Sequence, residues 1–177
     1  VPKINPNGLV NKFNLFFKNV TTEGDNSGDY SSDFRSQNFG SILYDISYPL
    51  KKEGNKYNNF LSGKASFMYS PNKNKNIKNL DRKINTKNIF NQNRLGLNDS
   101  VEGGQSLTFG GEYKITDKQN RSFLTAGLAS VLRDKNEEKL PTSSTINNKS
   151  SDIIGSINFK PNNNFNLDYN FSVDNDL

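Results

Sequence analysis

Apolar and polar residues alternate along much of this chain with a period of two. The final segment shows it best: Phe165, Leu167, Tyr169, Phe171 and Val173 alternate with Asn164, Asn166, Asp168, Asn170 and Ser172. A helix would scatter those five apolar side chains around its circumference, whereas a strand sets all of them on one face. Earlier segments repeat the pattern with less purity. Phe13, Leu15 and Phe17 share a face, with Phe16 intruding on the other. Ile42, Tyr44, Ile46 and Tyr48 oppose Ser41, Leu43, Asp45 and Ser47, and Leu61, Ala65, Phe67 and Tyr69 oppose Ser62, Lys64, Ser66 and Met68. Leu107, Phe109, Tyr113 and Ile115 form the next apolar face, against Ser106, Thr108, Glu112 and Lys114. Leu124, Ala126, Leu128 and Leu132, then Ile153, Ile157 and Phe159, complete the series. The pattern predicts about seven strands, most of them about 9 to 12 residues long. That length suits a tilted bilayer crossing better than the shorter strands of soluble domains.

The connections carry a second signal. The predicted links 21–38, 71–104 and 134–150 are long and polar, and they alternate without exception with the shorter links 51–59, 116–120 and 161–164. Up-and-down outer-membrane barrels have this asymmetry, with long loops outside and tight turns in the periplasm. Tyr48, Tyr113 and Phe165 stand beside short links, where an aromatic girdle is expected, and Tyr69 beside a long one. Pro49, Pro71 and Pro161 are expected at strand ends, where a missing N–H does least harm.

Composition narrows the choice. Only 32% of the 177 residues are hydrophobic, and the mean hydropathy is −0.81. A soluble core would be hard to build from so little apolar material. A disordered chain and a membrane barrel both survive this objection, and the barrel needs grease on one face of each strand only. The net charge of +5 is spread among asparagines rather than gathered in a stripe, which gives no support to nucleic-acid binding. With no Cys and no His, disulfides, Cys/His zinc sites and His-dependent nucleophiles are excluded within this chain. No run reaches the length of a membrane helix, and no signal peptide opens the sequence. The chain is expected to be one internal part of a single barrel domain, since seven strands do not close a barrel and no aromatic ends the sequence.

Several motifs, taken in order, resemble the LptD family of lipopolysaccharide-assembly proteins. Tyr48-Pro49-Leu50 precedes Ala65-Ser66-Phe67-Met68-Tyr69-Ser70-Pro71-Asn72, and Asn93-Arg94 leads through Asp99 to Val101-Glu102-Gly103-Gly104 and Leu107-Thr108-Phe109-Gly110. Ser150-Ser151-Asp152-Ile153-Ile154-Gly155 and Asn166-Leu167-Asp168-Tyr169-Asn170-Phe171 follow. The resemblance departs at Ser144-Thr145-Ile146, and it lacks the cysteines of some members. It implies a bacterial outer-membrane location and a non-enzymatic role in inserting lipopolysaccharide into the outer leaflet. By analogy it also implies outer-membrane lipids, an LptE-like plug lipoprotein and the periplasmic Lpt bridge as partners, with no nucleic acid and no cofactor. The lateral seam and the substrate-entry apparatus are expected outside this chain.

Three sets of residues stand out. Arg94, Asp99 and Glu102 form a candidate charge cluster in the lumen or under a loop, and an architectural role is preferred to contact with a lipopolysaccharide phosphate or sugar. Asp45, Lys64, Glu112, Lys114 and Asp168 are predicted to face the lumen. Ile42, Tyr44, Ile46, Phe67, Tyr69, Leu107, Phe109, Tyr113, Phe165, Leu167, Tyr169 and Phe171 are predicted to face lipid. Carboxylates never gather beside a second catalytic group, so no enzyme site is predicted. Gly103-Gly104 and Gly110-Gly111 lack the Lys-Ser/Thr and following helix of a phosphate loop, and are read as easing close packing. The alternatives are a porin-like or uptake channel for solutes and a soluble β-rich adhesin or binding module.

Overall fold

Each apolar–polar segment becomes a strand that pairs with its neighbour in the chain. The computed structural model describes residues 2–28 and 30–174, so the non-aromatic end at 175–177 lies outside the described residues. A two-residue strand β1 (Lys3–Ile4) precedes seven long ones. These are β2 (Val10–Thr22), β3 (Arg35–Glu53), β4 (Tyr57–Ser70), β5 (Gly104–Asp117), β6 (Ser122–Arg133), β7 (Ile153–Asn162) and β8 (Phe165–Val173). All pairs are antiparallel, and the sheet runs β1 to β8 in sequence order as one open meander.

Register turns the one-dimensional alternation into two continuous faces. Phe13, Tyr44, Phe67, Leu107 and Leu132 lie opposite one another across β2 to β6. Leu50, Leu61, Tyr113, Ala126, Ile157 and Tyr169 form a second row, from β3 to β8. This apolar face is not packed against anything: Leu15 and Phe17 are 74% and 71% exposed, and Phe109, Leu128 and Leu167 are about half exposed. A monomer in water would forgo roughly 1.5–3 kcal/mol for each such side chain left uncovered, and so extended a patch marks a surface that meets another apolar phase.

The strands outrun the expected spans at several ends. In β3 the polar residues Arg35 to Asn38 continue the ladder opposite Val20 to Thr22 and Asn19, because antiparallel hydrogen bonding needs backbone groups and not apolar side chains. Pro49 therefore lies inside β3, opposite Ser62, and not at its end. The ladder with β2 stops at Ser47, so one side of β3 has no partner strand there and a missing N–H on that side breaks no bond. Pro161 sits in the register irregularity between Phe159 and Asn162.

The long connections are not loose. Ile77, Ile84, Ile89, Leu95 and Leu97 from 71–103, with Leu140 and Ile146 from 134–152, pack on Ala129, Val131 and Ile154 of the polar face of the sheet. Ile77 N–H also donates to Lys139 O at 2.8 Å, which ties the two loops together. A single turn of 3-10 helix at Thr142–Ser144 interrupts the second of them. This small core lies at the long-loop end of the sheet, on the face opposite the exposed apolar band.

Candidate functional site

The 71–103 segment reaches across the polar face from β2 to β7. Lys18 Nζ donates to Leu97 O at 3.4 Å, and Gln92 Nε2 donates to Ser41 O and Oγ at 2.9 Å each. At the far side the Thr86 and Ser156 hydroxyls share a hydrogen bond of 2.7 Å. A Cβ on Gly127 would meet Thr86 Cγ2 at 3.7 Å, so the segment descends well along the strands rather than resting on their ends.

Its anchor is a buried ion cluster. Asn93 clasps its own turn, accepting from Leu97 N–H at 2.9 Å and donating from Nδ2 to Leu97 O at 3.1 Å. Gly96, at φ 62°, completes that turn in a conformation that favours glycine. The turn holds Arg94 against Glu102: Nε donates to Oε2 at 2.8 Å, and a second guanidinium N–H donates to Oε1. The same guanidinium donates to Thr108 Oγ1 and Ser106 Oγ of β5, each at 3.0 Å. From β6, Arg133 donates to Glu102 Oε1 and, at 2.6 Å, to Gly103 O. The side chains of Arg94, Glu102 and Arg133 are only 2%, 2% and 1% exposed. Burial pushes the Glu102 carboxyl up, but the two guanidiniums, Arg94 foremost, outweigh it and hold the carboxyl below its usual range.

The glycines after Glu102 are required by space and backbone. A Cβ at Gly103 would stand 2.0 Å from Asn72 O, and Gly104 adopts φ 92° as the chain enters β5. The segment thus leaves β4 at Asn72 and returns beside it, with Asn74 Oδ1 accepting from Gly103 N–H at 2.8 Å.

Of the three residues expected to cluster, Arg94 and Glu102 meet and Asp99 does not. Asp99 instead pairs with Lys75 at 2.5 Å and accepts from Tyr30 Oη at 2.9 Å, joining the 23–34 loop to the 71–103 segment. The Lys75 ammonium holds its carboxyl below the ordinary value, with burial opposing and Tyr30 assisting. Arg133 completes the cluster in its place. Its sequence signal was slight, a cation at the end of a strand on the polar face, and only the register opposite Ser106 brings it to Glu102.

Asp45, Lys64, Glu112, Lys114 and Asp168 all lie on the face opposite the exposed apolar band, as the registers require. Asp45 accepts from Asn14 Nδ2 at 3.0 Å and Ser66 Oγ at 2.5 Å. The Lys64 ammonium sits 5.8 Å from the Phe90 ring centroid. Asp168 accepts from Asn158 and Asn166 at 2.6 and 2.7 Å, and Lys114, Asn158 and Asp168 belong to one row across the sheet. Ile42, Tyr44, Ile46, Phe67, Tyr69, Leu107, Phe109, Tyr113, Leu167, Tyr169 and Phe171 share the apolar face by the same registers, and Phe165 joins its aromatic rings at the short-turn end. Among the described residues no group of three or more acidic side chains could hold a metal ion.

A wall one strand thick, with an exposed apolar face, a hydrogen-bonded polar face, long loops at one end and tight turns at the other, is a segment of an up-and-down membrane β-barrel. The open edges, at β8 and along β1 and the rest of β2, leave it an incomplete one. The family model described as LptD, LPS transport system D, matches residues 17–176, and the chain belongs to that family. Membership makes it an outer-membrane component of lipopolysaccharide transport. No curated protein matches the chain.

Proposed function

We propose that this chain is a sector of the barrel wall of the translocon that inserts lipopolysaccharide into the outer leaflet, and that it does so without chemistry on the lipid. In this reading the apolar band faces membrane lipid, while Asp45, Lys64, Glu112, Lys114 and Asp168 face a hydrated lumen. The observation that carries it is the one-sidedness of the sheet: one face exposes its large apolar side chains, and the other holds its polar groups under a loop that reaches from β2 to β7. The Arg94–Glu102–Arg133 cluster is a latch that fixes this loop to β5 and β6. In the same reading the polar face below the packed loop would meet an LptE-like plug lipoprotein, and the short turns would face the periplasmic Lpt bridge.

The test uses the full-length protein in cells. A photoreactive residue at Glu112 or Lys114 is expected to form lipopolysaccharide adducts only while the transport system is energised. Ion conductance through the barrel, with no lipopolysaccharide adduct at either position, would favour a solute channel and refute the translocon.

A further inference from the structure

The exposed apolar band is not level. Two of its rows are bulky: Tyr44, Phe67, Leu107 and Leu132 on one side, and Leu50, Leu61 and Tyr113 on the other. Between them run Ile46, Ala65, Phe109 and Ser130, then Tyr48, Gly63, Gly111 and Leu128. The small residues in these two middle rows leave a groove of about 580 Å³, walled by Ile46, Tyr48, Phe109 and Leu128 and reaching Ile153 of β7.

The protein does not fill this groove itself. A Cβ on Gly63 would meet nothing within 4 Å, and one on Gly111 only the Ser62 carbonyl oxygen of the adjoining strand, at 3.3 Å. Gly155, which continues the row from Gly111 through Leu128, is the contrast. A Cβ there would stand 2.1 Å from the ring of Phe171, its partner on β8, which lies over it. One glycine of the row is thus capped by an aromatic of the wall, and two are left bare.

The lining calls for hydrocarbon. Lys64 borders the groove, but its ammonium lies on the opposite face, 5.8 Å from the Phe90 ring centroid. The Ser130 hydroxyl is turned to Ser151, donating to its carbonyl oxygen at 3.1 Å. Among the described residues no charged group faces the groove. From β3 to β7 it crosses four strand spacings, roughly 19 Å, against the roughly 15 Å that the chains of one leaflet span. Its width is two residues of a strand, roughly 7 Å, which admits one hydrocarbon chain and not a pair. An empty groove on a wall that meets lipid forfeits dispersion contacts, and a chain laid in it regains them. The β3 end opens at Tyr48, whose ring is 3.7 Å from the place of a Cβ on Gly8, in the turn between β1 and β2. A chain therefore enters from the short-turn side.

We infer that the groove holds one acyl chain of a phospholipid from the leaflet on the short-turn side, with no part in binding its headgroup. The inference rests on the proposed reading that the apolar band faces membrane lipid.

The test is native mass spectrometry of the full-length protein, taken into detergent from vesicles of phosphatidylcholine, phosphatidylglycerol and lipopolysaccharide. Gly63→Leu with Ala65→Leu fills the groove, and Ala126→Leu adds apolar bulk to the same face outside it, in the row of Tyr113. The parent is expected to retain one phospholipid more than the filled variant, phosphatidylcholine and phosphatidylglycerol alike. The filled variant should hold that lipid about tenfold less tightly, the effect of uncovering about two buried methylenes. Ala126→Leu is expected to match the parent. Equal retention by the parent and the filled variant, or equal loss from Ala126→Leu, would overturn the site. Preference for one phospholipid headgroup would refute a contact made by the chain alone, and lipopolysaccharide in place of phospholipid would refute the source. Flotation with the vesicles separates the two readings: failure to insert counts against the lipid-facing band, whereas insertion with no extra lipid retained counts against the groove alone.

Discussion

Neutralising Glu102 tests the latch most directly. Glu102→Gln keeps the shape of the side chain and removes the carboxylate that pairs with both guanidiniums, which are almost wholly buried. Each attraction is about 4 kcal/mol at contact distance with an effective dielectric near 20. Desolvation offsets much of that gain in the intact cluster, but not the loss, so deleting one member of a buried pair costs about 3–5 kcal/mol. The strand ladder does not depend on this carboxylate. The cost therefore falls on the closed state of the 71–103 segment, a unit that can open without unfolding the wall. Hydrogen exchange on the full-length protein in membranes is the assay. Amides of the segment that open with the latch, such as Ile77, Leu97 and Gly103, are expected to lose protection by about a hundredfold to a few thousandfold, the equivalent of 3–5 kcal/mol. Amides within β4 and β5 should keep theirs. Asp99→Asn serves as the control, because its pair with Lys75 is partly exposed and worth no more than about 1 kcal/mol. Unchanged exchange in Glu102→Gln, or loosening no greater than in Asp99→Asn, would refute the latch.

Further expectations follow from the same geometry. Because the Glu102 carboxyl is held below its ordinary range in the folded state, its contribution is complete above the unfolded value and is lost only as pH falls through the depressed one. Protease cleavage within 71–103 should thus stay slow in mild acid and rise below the ordinary carboxylate range, and this rise should be absent in Glu102→Gln. Gly103→Ala forces a methyl into Asn72 O, 2.0 Å away, and is expected to cost about 1–3 kcal/mol or more in refolding titrations; full stability would show that the 71–103 segment shifts freely. Leu128→Arg places a charge on the exposed apolar face and should cost about 2–4 kcal/mol for folding into bilayers, whereas Glu112→Lys on the opposite face should cost far less. Equal costs would contradict the assignment of faces.

The two faces were legible in the sequence because period-two alternation is all a one-layer wall requires. Phe165, Leu167, Tyr169 and Phe171 need no tertiary information to share a side. The loop core was not legible. Ile77, Ile84, Ile89, Leu95 and Leu97 follow neither a strand nor a helix period, since an irregular segment presents side chains wherever its turns direct them. A trace of it did exist: Leu43, Met68, Val131 and Ile154 break the polar face, and all are buried. Apolar residues on the wet side of a barrel strand mark where something packs against it. The charge cluster was half legible. Arg94 and Glu102 lie eight residues apart and are joined by one turn, but Asp99, nearer in sequence to Glu102, is directed outward to Lys75 and Tyr30. Arg133 is distant in sequence and adjacent only through pairing of β5 with β6. Extended strand ends such as Arg35 to Asn38 were missed because polar ladder residues leave no apolar signature.

The strengths of the loop's contacts are unequal across the sheet, and this constrains how it can move. Toward β2 and β3 it is held by one hydrogen bond each from Lys18 and Asn72 and two from Gln92, in surroundings that are only partly buried. Bonds of this kind contribute about 0.5–1.5 kcal/mol each, and water can replace them. Toward β5 and β6 it is held by a desolvated cluster and by the aliphatic contacts with Ala129 and Val131. Breaking the cluster strands charge, so any low-energy displacement must keep Arg94, Glu102 and Arg133 together. A motion that widens the polar side of the wall therefore carries the segment with β5 and β6 and releases it from β2 and β3. Loss of the Gln92–Ser41 contact should precede loss of the Arg94–Glu102 pair along that path. A cross-link between positions 92 and 41 should accordingly arrest a transport cycle that needs this opening, and a cycle that runs unchanged would refute the path.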